Sequence, residues 1–179
     1  MFLLAMTLDS IIKSRRSIRK FKSNKKCKPQ NIFDIMNSAR MAPCAGGIFS
    51  VRLILVEDKN VKKKIAEACL GQNFIVDSSY VVVVVSERKQ TERLYGKYAS
   101  VALRQQAGAA IQNMLLKATE LKLACCWVGS LDEQALKRIL RVPENVDIEA
   151  VIPIGYAAEK AKERKLPSLN SIVKSEKYS

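Results

Sequence analysis

Histidine is missing from this chain altogether. Its absence excludes Ser-His and Cys-His nucleophilic machinery and every zinc site that needs an imidazole. Chemistry near neutral pH must then come from a bound cofactor, or from carboxylate, Lys, Tyr or Cys groups. The five cysteines (Cys27, Cys44, Cys69, Cys125 and Cys126) are odd in number and contain no C-x-x-C pair. Cys125 and Cys126 are vicinal, which suits neither a chelate nor an unstrained disulfide. All five read as reduced thiols of a cytoplasmic protein, mostly in its core. Acidic residues are scarce as well: 17 against 31 Lys and Arg, a net charge of +14. That excess favours anionic partners, a nucleic acid or an anionic cofactor among them. The lysines are scattered, however, and no helix-turn-helix, zinc-finger or aromatic RNA-binding pattern accompanies them, so no nucleic-acid partner is expected. Long hydrophobic runs are lacking too. Residues 81–85 are only a strand's length. Residues 1–8 carry no charged leader region or cleavage site and are too short to span a bilayer, so no membrane association is expected.

What is present describes one ordinary domain. At 179 residues, 48% hydrophobic and 27% charged, the chain has single-domain size and composition. It can bury roughly 70% of its unfolded surface. The densest cluster of binding chemistry is Arg15-Arg16-Ser17-Ile18-Arg19. Guanidinium forks match phosphate oxygens bidentately and stay charged at any working pH, and a serine hydroxyl can donate to the same oxygens. Ile18 interrupts the polar run and can anchor the segment to a core.

Along the chain, Thr7 caps a short helix running to about Lys13. Pro29 suits the first turn of a second helix, whose buried face carries Ile32, Ile35, Met36 and Ala39. Pro43 stops it. Pro43-Cys44-Ala45-Gly46-Gly47 is a loop of small residues whose glycines allow close backbone approach to a flat ligand. Residues 51–56 read as a strand. Asn60 is the expected cap of the next helix, and Gly71 its end. Residues 80–85 are uninterrupted and β-branched, as in a central strand buried on both faces. Residues 87–97 are charged and exposed. Residues 99–121 form a long helix apolar nearly all round, suited to the domain interior or a subunit interface. Residues 124–128 make a short strand, Ser130-Leu131-Asp132-Glu133 a capping box, and residues 148–154 a last strand in which Pro153 suggests an edge or bulge position.

Arg15-Arg16-Ser17-Ile18-Arg19-Lys20-Phe21 resembles the opening signature of the nitroreductase-like FMN-dependent oxidoreductases. Residues 42–46, Gly71-Gln72-Asn73-Phe74, residues 108–118, Cys126-Trp127-Val128-Gly129, Pro153-Ile154-Gly155-Tyr156 and Arg164-Lys165-Leu166-Pro167 follow in that family's order. The resemblance implies an α+β, nitroreductase-like fold with a central, mostly antiparallel sheet flanked by helices and a long buried helix at a dimer interface. It implies a single flavin-binding domain over residues 1–179, with residues 1–6 extended or disordered and residues 157–179 a basic tail docking on the core or a partner. It further implies a cytoplasmic homodimer that uses FMN and either NADH or NADPH to reduce a small-molecule acceptor, such as a nitro compound or quinone, in ping-pong fashion. The flavin would carry the chemistry, with no catalytic side chain and no metal. The phosphate would be held by Arg15, Arg16, Ser17 and Arg19, assisted by Arg164 or Lys165. The ring would lie against Pro43, Cys44, Ala45 and Gly46 from the partner, with Gln72 and backbone N–H groups around Val128 and Gly129. A non-catalytic basic protein holding flavin or nucleic acid on the same fold is the alternative reading. Members often carry Asn, then Gln, Pro and Trp, after the small-residue loop. Here Gly47, Phe49, Ser50 and Val51 stand there, which implies a roomier, less polar acceptor pocket with Phe49 as an apolar wall.

Overall fold

In a computed structural model, which describes residues 6–178, eight α-helices and four strands alternate along the chain. All but one of the residues expected to be extended or disordered at the start, 1–5, lie outside the described residues. The helices are α1 (Leu8–Ser14), α2 (Pro29–Ala39), α3 (Lys59–Ala68), α4 (Phe74–Asp77), α5 (Arg88–Tyr95), α6 (Ala99–Glu120), α7 (Glu133–Leu140) and α8 (Leu169–Ile172). The strands are β1 (Val51–Val56), β2 (Tyr80–Glu87), β3 (Ala124–Cys125) and β4 (Val146–Gly155). They form one antiparallel sheet in the order β1-β2-β4-β3.

The β-branched run explains why β2 lies inside the sheet. Val81, Val82, Val83 and Val84 are all fully buried. Alternation sends Val82 and Val84 into a core shared with α2 and α6, and Val81 and Val83 into a second core shared with α3 and α7. Helices therefore cover both faces, and each buried valine contributes roughly 1.5–3 kcal/mol. On α6, Leu103, Ala107, Ala110, Ile111, Met114 and Ala118 face the sheet, while Val101, Gln105 and Gln112 are exposed.

Local rules placed some ends and missed others. Thr7 caps α1 as expected, its hydroxyl accepting from Ser10 N at 3.3 Å. The cap of α3 is Asp58 rather than Asn60, and that of α7 is Asp132 rather than Ser130. A carboxylate accepts the orphan N–H groups and matches the helix dipole, so it wins over a nearby amide or hydroxyl. β4 is likewise an inner strand, not an edge. Pro153 is tolerated because its missing donor points toward the β3 side, where Pro153 O accepts from Cys126 N at 3.3 Å just as β3 ends. The bulge lies elsewhere. Val84 pairs with Ala150 and Val85 with Ile148, leaving Glu149 as the extra residue.

The last strand leads into an exposed tail. Leu166, Leu169, Ile172 and Val173 are 66, 70, 62 and 55% exposed, so the tail's apolar residues do not dock on their own core.

Two expectations follow. A Cβ at Gly155 would stand 2.9 Å from the Phe21 ring and 3.2 Å from Ser79 N. Gly155→Ala should therefore lower Tm by about 3–10 °C in a thermal melt, since overpacking costs roughly 1–3 kcal/mol. Burial pushes the Glu149 carboxyl up, helped by Asp147 and Glu133 and opposed by Ser86 and Arg104. A carboxyl raised in the folded state favours folding at low pH, and that contribution is lost as pH rises through its folded value. Glu149→Gln should thus raise Tm by about 1–2 °C near pH 8, the size suited to a partly screened charge, and by nothing below about pH 4.

Candidate active site

The basic segment forms an extended strap beside β3. Ser17 bridges in parallel to Cys125, and Ile18 N donates to Cys125 O at 3.1 Å. Ile18 and Phe21 turn inward and pack with Ala124 and Phe74. Either side of the inward Ile18, alternation puts Ser17 and Arg19 on the opposite face, with Arg15 in step with them; it does not run on to Phe21. The Cys126 thiol, next in the chain to the strap's partner Cys125, is buried. Burial pushes it up, against the pull of the Arg19 and Arg15 guanidinium groups and the Ser17 hydroxyl. Arg16 belongs to the other face. Its Nη1 donates to Lys13 O at 2.6 Å and Arg15 O at 2.9 Å, and its Nε to Lys162 O at 3.3 Å. It ties the strap to α1 and to the start of the tail.

The tail runs back along the strap. Phe21 bridges to Ala157, Ala158 N donates to Lys20 O at 2.8 Å, and the Glu159 carboxylate accepts from Arg19 N at 2.6 Å. Arg164 and Lys165 follow Lys162 by two and three residues and are fully exposed. Glu159 is a neighbour of this cationic face that local sequence did not reveal; only the antiparallel return of the tail brings it there.

Next to the strap lies the 126–129 segment. Val128 exchanges both backbone hydrogen bonds with Val151, each 3.0 Å. Its N–H is therefore committed to the sheet. Trp127 and Gly129, whose backbone points the opposite way, have no backbone N–H partner among the described residues and form the sheet's open edge. The 41% exposed Trp127 leans on α6, with its ring 3.7 Å from where a Gly108 Cβ would be. Gln72 joins this region: its amide donates to Cys69 O at 2.9 Å and to Ser130 O at 3.4 Å. Strap, tail start, open edge and Gln72 thus meet on one side of β4.

Pro43, Cys44, Ala45 and Gly46 lie elsewhere. Pro43, Cys44 and Ala45 line a cavity of about 220 Å³ with Ala102, Gln105 and Gln106 of α6, whereas the strap side packs near Thr119. The 13 residues between Gln106 and Thr119 span about 20 Å of helix. Gly46, at φ +57°, leaves room for Leu94 and Tyr95 of α5; a Cβ would come within 2.5 Å of the Leu94 side chain and 3.0 Å of Tyr95 Oη. Gly47 is open, with nothing within 4 Å of a Cβ. Phe49 packs against the α2–α6 core rather than standing free as a pocket wall. Ser50 N donates to Gln106 Oε1, and Gln106 Nε2 to Ile48 O, both at 2.9 Å, so an amide from α6 pins this loop. The cysteines are free; burial pushes Cys125 up to about 12 and Cys69 up to about 11, which removes both as nucleophiles at neutral pH. Among the described residues no cluster of metal-binding side chains occurs, and no helix is long and apolar enough to cross a membrane.

Comparison with known proteins agrees with this architecture. A protein of Archaeoglobus fulgidus provisionally named NADH dehydrogenase/NAD(P)H nitroreductase is 30% identical over 150 residues, covering 82% of this chain and 83% of its own. An NADH dehydrogenase of Thermus thermophilus is 26% identical over 174 residues, 81% of this chain and 84% of its own. The solved NADPH:FMN oxidoreductase of Vibrio harveyi, complexed with NAD+, shares the fold with a TM-score of 0.86 at 18% identity, over 96% of this chain and 78% of its own. The sequence pattern described as the Nitroreductase family matches residues 12–87 and 71–156, most of the chain. With that pattern and the antiparallel sheet carrying a basic strap on its open edge, the chain belongs to the nitroreductase family.

Proposed function

We propose that this protein is an NAD(P)H-dependent oxidoreductase that holds FMN and reduces a small organic acceptor as a homodimer. One observation carries the reading: the strap holding Arg15, Ser17 and Arg19 pairs with Cys125, beside the unpartnered backbone edge at Trp127 and Gly129. Two guanidinium forks and a hydroxyl fit a phosphate monoester. Free N–H groups along a sheet edge fit the polar rim of a flat heterocycle, and the relatives' names point to nicotinamide-dependent redox chemistry. Bound there, FMN would supply two-electron transfer from NADH or NADPH to the acceptor in alternating half-reactions.

The protein's own residues bind and orient. Arg15 and Arg19 hold the phosphate charge, and Ser17 donates to it. Arg16 is a positioning residue that fixes the strap against α1 and the tail. Arg164 and Lys165 close over the phosphate from the tail. Of the backbone N–H groups expected around Val128 and Gly129, that of Gly129 is free to serve, and Trp127 offers one in place of Val128. The positive field of this face also favours electron uptake by a ring that becomes anionic on reduction.

Length along α6 supports the dimer. In one chain the small-residue loop packs at Gln106 and the strap near Thr119, a helical rise of about 20 Å, which favours a flavin shared between one copy's strap and the other's loop. Two α6 helices packed antiparallel bring one copy's loop to the other's strap, and the exposed stripe at Val101, Gln105 and Gln112 carries charge only at its margin, at Arg104. The tail's exposed Leu166, Leu169, Ile172 and Val173 then find their cover on the partner. We read the whole chain as one flavin-binding domain with this tail as its arm, and its free thiols, buried except for the half-buried Cys44, suit the reducing cytoplasm.

Arg15→Ala and Arg19→Ala should each weaken FMN binding about tenfold or more while leaving riboflavin binding nearly unchanged, because a charge-assisted hydrogen bond is worth roughly 1.5–3 kcal/mol. Arg16→Ala should weaken both flavins together. Fluorescence titration with the two flavins checks this, and equal losses in the Arg15 and Arg19 variants would remove the phosphate role. Gln112→Arg changes an exposed residue of the single chain, so it should leave folding intact yet give a monomer without bound flavin. Light scattering paired with absorbance decides; a monomer with full flavin occupancy would contradict the shared site.

A further inference from the structure

A second cavity, of about 390 Å³, opens on another part of the chain, between the loop around Lys25, the first turn of α3 and the α4–β2 turn. Its size falls in the range of small-molecule sites. Lys62 lies in its wall, only 6% exposed, with Nζ donating to Ser78 O at 2.6 Å. An ammonium has three donors. Among the described residues the Lys62 ammonium makes no other hydrogen bond and no ion pair within 4.0 Å, so two donors remain for whatever enters the cavity. A buried cation without a counter-charge is costly unless something supplies one.

The surrounding charges do not supply it. Lys25, Lys26 and Lys59 ring the opening, against Glu57, Asp58 and Asp77. Glu57 is held by Lys26 at 2.8 Å, and Asp58 caps α3 by accepting from Val61 N at 2.8 Å. Asp77 is left facing Lys59 and Lys62, while Lys25 sits 3.9 Å over the Tyr156 ring. Burial pushes the Lys62 amine down, Lys26 and Lys59 push the same way, and Glu57 and Asp77 only partly oppose them. The centre of the cluster wants negative charge.

We propose that this cavity binds a small phosphate-bearing anion, gripped by Lys62 from within and by Lys59 at the rim. Several lysines acting as point charges suit a multiply charged phosphate better than a single carboxylate. The volume exceeds the needs of the bare anion and admits the organic part of a small phosphate monoester. This site is independent of the flavin reading.

The test is isothermal titration calorimetry of the protein with saturating FMN, at ionic strength held constant with chloride. Inorganic phosphate and glycerol 3-phosphate are titrated separately. One equivalent should bind, and Lys62→Met and Lys59→Gln should each weaken it about tenfold or more, the loss of one charge-assisted hydrogen bond. Arg19→Gln should leave it unchanged, so a failure of the flavin site does not obscure the result. Tighter binding of the ester assigns the site to a phosphorylated metabolite, and tighter binding of phosphate assigns it to the free anion. Lys59 is exposed, so its variant remains informative if Lys62→Met folds poorly. No binding of either ligand would overturn the proposal, as would binding that survives both lysine variants or disappears in Arg19→Gln.

Discussion

The outer edge of β4 is the constraint on which the candidate site depends. From Val151 onward that edge pairs in turn with Val128, Cys126, Cys125 and Ala124, and beyond Gly155 the chain pairs with the strap at Phe21. Every group proposed to face the phosphate or ring edge is placed by that line of backbone hydrogen bonds, directly or at one remove. Pro153 sits within it at a point where its lack of an N–H limits the length of β3. β3 is short, and the backbone past it is left unpaired at Trp127 and Gly129, where a ligand can compete for it.

The sheet can serve as such a rail because its other side is secure. β2 carries valines into two separate cores, so β4 is clamped along its inner edge and buried on both faces. The glycine at its end has a different task. Gly155 lets the Phe21 ring lie against the backbone, which holds the end of the strap, and with it Arg19, to the sheet. Packing at an apolar contact thereby sets the geometry of a cationic one.

Much of this was legible in the residues, and the failures have a common cause. The β-branched run, the long helix and the Thr7 cap are local properties, and they appear where propensity and periodicity put them. The basic strap was visible as chemistry, but the division of Arg16 from Arg15 and Arg19 was not read, although a two-residue period would have suggested it once the segment was taken as extended. The commitment of the Val128 N–H, the inner position of β4 and the arrival of Glu159 beside Arg19 all depend on pairing between distant segments. Local spacing carries no record of that pairing. Phe49, expected as a pocket wall, is half-buried and packs one side against the α2–α6 core, where apolar contact holds it. Lys62 looked like one more surface lysine in a run of three; only the fold shows that its neighbours Lys63 and Lys64 are exposed while it is not.

The separation of loop and strap along α6 has a genetic consequence for the proposed dimer. Each of the two flavin sites would take its strap from one copy and its loop from the other. A chain crippled in the strap and a chain crippled in the loop, each inactive as a homodimer, would then form a mixed dimer in which one site inherits both defects and the other inherits neither. Two null alleles could complement one another in a cell expressing both.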